Sequence, residues 1–162
     1  MVSGPEVEVA HDDGRPTERP LTPDKTFELL VRFDPRMTGW KPDRLRFQLA
    51  QPGRLAFAIY RVDAEGRPGE EVKTIERDYG PEMVSAGSDG KWVTESLADV
   101  ATQHGPVFIG IYSPEKQGDP RLWATSNDSG EVFQREADPS LPLDALRVRR
   151  TPKLRVIVIP SP

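Results

Sequence analysis

The clearest pattern in the chain is alternation of apolar and polar positions, the period of a strand with one buried face. From Thr26 to Phe33, the residues Phe27, Leu29, Val31 and Phe33 fall on one side, with Glu28 and Arg32 on the other. Arg44 to Leu49 repeats it, with Leu45, Phe47 and Leu49 set against Arg44, Arg46 and Gln48. Arg54–Val62 and Pro106–Tyr112 are apolar on both sides, which predicts strands at sheet centres. Gln51-Pro52-Gly53 reads as a break before the first of these. Further strands are expected at Glu71–Tyr79, Lys91–Leu97, Arg121–Thr125, Glu131–Arg135 and Leu154–Ile159, for about nine to eleven in all. No segment has the pattern of a helix of three turns; Leu97–Gln103 and Leu143–Arg147 each have room for a turn or two.

These elements predict an all-β fold, a two-sheet antiparallel β-sandwich of the jelly-roll kind. The chain is expected to be one domain, with 1–25 an irregular N-terminal segment carrying a first strand and 26–162 the sandwich proper. Composition agrees: 17 prolines and 13 glycines cut the chain into short pieces, and 30% charged residues demand a large wetted surface. The formal net charge of −4 supplies no field to recruit nucleic acid. No cysteine is present, which removes disulfides, thiolate nucleophiles and thiolate zinc sites. No apolar run of about 18 residues exists, so no membrane insertion is expected. The start, Met1-Val2-Ser3-Gly4-Pro5-Glu6, lacks the basic-then-apolar pattern of a signal peptide. That leaves two expectations, a cytoplasmic chain or a mature fragment with a new start.

Basic residues gather late, at Arg147, Arg149, Arg150, Lys153 and Arg155. Four of them share a strand face, which reads as a solvated face on a strand near a sheet edge; a phosphate-binding stripe is the alternative. His11 and His104 lie far apart in sequence, with no nucleophile elbow and no metal-ligand spacing, so no catalytic role is expected of either. Asp12 and Asp13, adjacent and followed by Gly14, pose a choice between a turn and a structural Ca²⁺ site, with the turn favoured. The loops at Asp63–Gly69, Gly87–Gly90 and Ser126–Gly130 read as turns first. Among the tryptophans, Trp92 and Trp123 fall inside strand patterns and are expected in the core. Trp40 lies in a loop and is expected to be partly exposed, where it could stack on a sugar ring.

A wider resemblance follows from the order of motifs. His11-Asp12-Asp13-Gly14, Leu30–Pro35, Trp40–Phe47, Phe57–Tyr60 with Gly66–Gly69, Lys91–Thr94, Pro106–Ile111 and Leu154–Ile159 stand in sequence along the chain. This order resembles that of β-sandwich accessory domains attached to secreted bacterial peptidases and cell-surface proteins. The resemblance implies a secreted, periplasmic or surface location and a non-enzymatic role, binding carbohydrate or another surface partner. The alternative is a structural or assembly domain contacting a protein partner, for instance through the basic last strand. It supplies no catalytic residues and no cofactor. Two departures stand out: His11 occupies an aromatic position, and charge is unusually dense.

Overall fold

In the computed structural model, residues 6–12, 18–21, 28–86, 91–113, 118–135 and 148–160 are described. They form two antiparallel sheets, as the alternation predicts. The smaller sheet holds β1 (Val7–Ala10), β12 (Leu154–Pro160), β4 (Trp40–Phe47) and β7 (Val93–Ser96), in that order. The larger runs β10 (Val132–Arg135), β3 (Glu28–Phe33), β8 (Val107–Tyr112), β5 (Leu49–Val62), β9 (Gly118–Thr125) and β11 (Thr151–Pro152). Two further strands join it: β2 (Glu18–Leu21) pairs with β9, and β6 (Pro68–Tyr79) pairs with β5. No described helix is long and apolar enough to cross a membrane.

Each strand sends one face inward. Val31, Ile109 and Ile59 stand in register across β3, β8 and β5, and Leu45 and Val156 do so across β4 and β12. All five are buried in one apolar cluster that spans both sheets. The two doubly apolar strands, β5 and β8, take central positions as expected, because their outward residues are covered too. Leu30, Phe108 and Phe133 form a second buried cluster on the outer side of the large sheet, flanked by Tyr60 and Val62. Beside that cluster Gly110 in β8 leaves room for Glu28 and Tyr60: a Cβ there would run into the Glu28 carboxylate and stand 2.9 Å from the Tyr60 ring. Glu28 in turn accepts a hydrogen bond of 2.8 Å from the Tyr60 hydroxyl.

Several expectations are corrected. Gln51-Pro52-Gly53 does not interrupt the chain, because β5 runs through it with register shifts against β9 and Gly53 at a φ of 154°. A bulge absorbs the residues that propensity reads as a break. Leu97–Gln103 is not helical: Leu97 and Val100 face the core, and the Gln103 backbone bridges to Trp40. Pairing with another strand's backbone outcompetes the local helix. Leu143–Arg147 and the Gly87–Gly90 loop lie outside the described residues. The last strand is not at an edge either, since β12 sits between β1 and β4. Its inner Leu154, Val156 and Val158 belong to the core, and that burial outweighs its outward charges.

The core contains one polar device. Phe47, Phe57 and Tyr79 pack ring on ring, with Phe47 and Tyr79 edge to face at 5.2 Å. The Tyr79 hydroxyl donates to Glu95 on β7 at 3.1 Å, and Arg77 bonds the other Glu95 oxygen at 3.0 Å. Burial, and then the adjacent Glu95 carboxylate, push the Tyr79 hydroxyl well above its ordinary pKa. The folded state therefore keeps a proton that the unfolded chain loses near pH 10, so stability must fall as pH rises past that point. Urea unfolding should show this fall at about 1.4 kcal/mol per pH unit for this one group. The gap in stability between the wild type and Tyr79→Phe, expected at about 1–2 kcal/mol at pH 7, should shrink from pH 10 upward. A gap unchanged to pH 11.5 would show that Tyr79 is not held as the phenol.

Candidate functional site

Of the residues singled out from sequence, Trp40 is placed opposite to expectation. It is 1% exposed, in the core cluster. Its backbone pairs with Gln103 in both directions, and its indole N–H donates to the Gly105 carbonyl at 3.1 Å. The ring thus closes one end of the sandwich and offers no free face. Trp92 and Trp123, expected inside, are each only half-buried. Trp92 lies on the outer side of the small sheet beneath two guanidinium groups, Arg155 at 4.6 Å and Arg46 at 4.9 Å from the ring centroid. Trp123 donates its indole N–H to the Ser85 carbonyl at 2.9 Å. Strand alternation alone cannot tell inward from outward when both sides of a strand carry large residues. That is why the assignments are reversed.

Asp12 does need a cation, and the protein supplies one. Its side chain is fully buried and receives two bonds from Arg155, at 2.8 and 3.0 Å. The first cause of Arg155's raised pKa is this hydrogen bonding. Glu8 on β1 adds a bond to Arg155 at 2.9 Å and one to Arg46 at 2.8 Å. Asp12 thereby ties the end of β1 to the centre of the small sheet. Asp13 lies outside the described residues. Among the described residues no group of three or more His, Cys, Asp or Glu side chains could hold a metal.

Among the described residues, concave surface occurs in a hollow of about 350 Å³ beside Lys73, Arg77, Glu95 and Asp99, and at the sandwich end closed by Trp40. Two hollows of about 380 and 290 Å³ adjoin there and share Val62 and Pro106. The larger is lined by His11, Arg32, Asp34, Arg36 and Glu131, the smaller by Arg61 and the run Thr102–Pro106, which includes His104. Sequence separates these residues by up to 120 positions; the strand order brings them to one end. Local chemistry fixes each. Arg32 pairs with Glu131 at 2.6 Å. His11 stacks on Phe33 at 4.9 Å, and its Nε2–H donates to the Arg32 carbonyl at 2.6 Å. Arg61 bonds Glu70 at 3.1 Å.

Arg36 is the strained member. Its φ is +56°, in the left-handed region that residues with a Cβ seldom adopt, and Asp34 holds it there by accepting the Arg36 backbone N–H at 2.9 Å. Such strain, at a cost of about 1–3 kcal/mol, gathers at ligand-binding loops. Two other loops behave as the turns read from sequence. Asp63 accepts the backbone N–H groups of Glu65 and Arg67, both at 2.9 Å, with Gly66 at a φ of 79°. In the other, Asp128 accepts the Gly130 N–H at 3.1 Å.

No family model matches the chain, and no curated protein matches it. A solved structure of infectious bursal disease virus, Gx strain, is similar to it at 14% identity and a TM-score of 0.33, over 98% of this chain. The chain spans 41% of that viral chain, and a likeness of this depth carries no argument about function. What stands from the structure itself is the jelly-roll-like sandwich.

If Arg155 takes the place a cation would fill, Asp12→Ala should destabilise the fold by about 1–3 kcal/mol, because it removes two charge-assisted hydrogen bonds from a guanidinium that keeps Glu8 and part of its hydration. Urea unfolding would measure that loss. Millimolar Ca²⁺ should leave the wild-type melting temperature unchanged. A rise of several degrees with calcium, abolished by Asp12→Ala, would restore the metal site.

Proposed function

We propose that the chain is a non-catalytic β-sandwich module that contacts a protein partner through the loop end around Arg36, Arg61 and His104. The observation that carries this reading is the fate of the aromatic rings. Sugar stacking needs an open aromatic face, yet Trp40 is inside, Trp92 is covered by two arginines, and Trp123 is half-buried and hydrogen-bonded. The expectation of a carbohydrate platform thereby loses its residue. The loop end instead presents arginines, histidines and carboxylates on a concave surface, where charge can select a partner and set its orientation.

The rest of the described surface favours a polar, separable contact over a permanent apolar one. Among the described residues, Met83 is the large hydrophobic side chain that is exposed. An obligate interface resembles a domain core cut in half, and nothing like that is offered. The edge strand β6 leaves Glu70, Glu71, Glu76, Arg77 and Asp78 exposed, a charge density that discourages strand addition. The basic last strand, expected to make the contact, is interior to its sheet and unavailable as an edge.

A photoreactive residue placed at Arg36, and separately at Glu76 as a control, tests the proposal in cells producing the protein. Discrete protein adducts should form at position 36, be absent at 76, and fall at least fivefold when Arg61→Glu reverses the neighbouring charge. A specific hit on a glycan array, with no protein adduct at position 36, would overturn it.

A further inference from the structure

The two loop-end hollows are built alike. Each sets one arginine beside one histidine, Arg36 with His11 in the larger and Arg61 with His104 in the smaller. Val62 and Pro106, both half-buried, line both hollows and form an apolar saddle between them. Strand order makes this repeat, since His11 follows β1, Arg36 follows β3, Arg61 lies on β5 and His104 precedes β8.

The bonds already made inside the hollows decide which groups are left for a partner. Arg32 and Glu131 match each other. The exposed Arg36 guanidinium makes no hydrogen bond or ion pair with a described residue. Arg61 commits Nη1 to Glu70 and Nε, at 3.4 Å, to Gln103, which leaves Nη2 open. Each imidazole is held in one tautomer, because a backbone carbonyl only accepts. His11 therefore carries a proton on Nε2 to bond the Arg32 carbonyl, and His104 carries one on Nδ1 to bond the Thr38 carbonyl at 3.3 Å. The second nitrogen of each neutral ring is then an acceptor. Each hollow thus offers open arginine donors beside one imidazole acceptor.

We propose that this trough takes an extended segment of the partner that carries one acidic side chain and, two residues along, one apolar side chain. The inference rests on the reading of the loop end as a protein contact and names what is recognised there. The carboxylate answers Arg36, whose planar fork matches two oxygens. Residues i and i+2 of an extended chain point to the same face, which brings the apolar side chain onto the Val62–Pro106 saddle. The segment's backbone supplies N–H groups to His11 and His104 and a carbonyl to Arg61. A carboxylate suits the site better than a phosphate. One open guanidinium balances a single charge, and a doubly charged group would face Asp34 with no second open cation in that hollow.

The test uses the whole chain and a blocked peptide, acetylated and amidated, with one glutamate and one leucine two residues apart among glycines. Comparison peptides replace the glutamate by glutamine or lysine, or the leucine by serine. Two-dimensional ¹H–¹⁵N spectra follow the backbone amides of Arg36 and Gly105, with Lys73 in the separate hollow as control. The glutamate peptide should give saturable shifts at Arg36 and Gly105 and none at Lys73. Glutamine, lysine or serine at the replaced position should weaken binding at least fivefold. Arg36→Gln should bind the glutamate and glutamine peptides equally and melt like the wild type, since its side chain has no bond to lose. Equal binding of all the peptides, or a preference for glutamate that survives Arg36→Gln, would overturn the inference. So would tighter binding of an oligothymidylate at the same amides. If protein adducts form at position 36 while the peptides bind alike, the acidic segment is refuted and the protein contact stands. If adducts and shifts are both absent, the two fall together.

Discussion

The constraint on which the structure depends is that two chain segments belong to both sheets at once. The backbone passes from β4 to β5 at Gln48 and from β11 to β12 at Lys153, and Trp123 on β9 ties the two crossings together. Gln48 N–H donates to Lys153, Lys153 N–H to Trp123, and Trp123 N–H to Gln48, at 3.1, 2.7 and 3.0 Å. This closed ring of backbone bonds satisfies groups that a sheet corner would otherwise leave orphaned. It also fixes the angle at which Phe47 and Leu154 of one sheet meet Leu49 and Leu122 of the other, all nearly or fully buried. Once that corner is set, the inward faces of β3, β5 and β8 have one surface on which to pack.

Charge is arranged around this frame by the same logic. On the small sheet, Glu8 and Asp12 near one edge offset Arg46 and Arg155 at its centre, which lets a terminal strand hold to a β12 whose outward side is basic. On the large sheet, Arg54 on β5 is matched by Glu76 and Asp78 on β6, at 2.5 and 2.9 Å, where both partners are accessible. Exposed pairs of this kind are screened by water and add little to stability. Their greater effect is on pairing, because they favour one register and make β6 a poor template for another chain. The Asp12–Arg155 pair differs in kind, since removing Arg155 leaves a sealed carboxylate without its cation, whereas Arg155 without Asp12 still has Glu8 and some water.

The fold was legible because period-2 alternation is a direct image of a strand with one buried face, and Leu29 to Phe33 and Leu45 to Leu49 show it plainly. The doubly apolar β5 and β8 announced their central places in the same way. What the pattern could not carry was the third dimension. It put Trp92 inside and Trp40 partly outside, the reverse of their burial, because a large ring fits either side of a strand that carries bulky residues on both. Nor could it show that Asp12 would find Arg155, 143 positions away. The loop-end hollow was illegible for the same reason: His11, Arg36, Arg61 and His104 share no local motif. A weak signal did exist at Asp34-Pro35-Arg36, a turn-forming run that could have marked the strained loop.

Native-state hydrogen exchange at the backbone amides of Gln48, Trp123 and Lys153 tests most directly whether the sheet corner governs the fold. If it does, all three exchange only by global unfolding, with the same opening free energy as Ile109 and Ile59 at the centre of the large sheet. Exchange at these three as fast as in the Asp63–Gly66 turn, while Ile109 and Ile59 stay protected, would contradict the account. The corner would then be a seam between sheets that hold together without it.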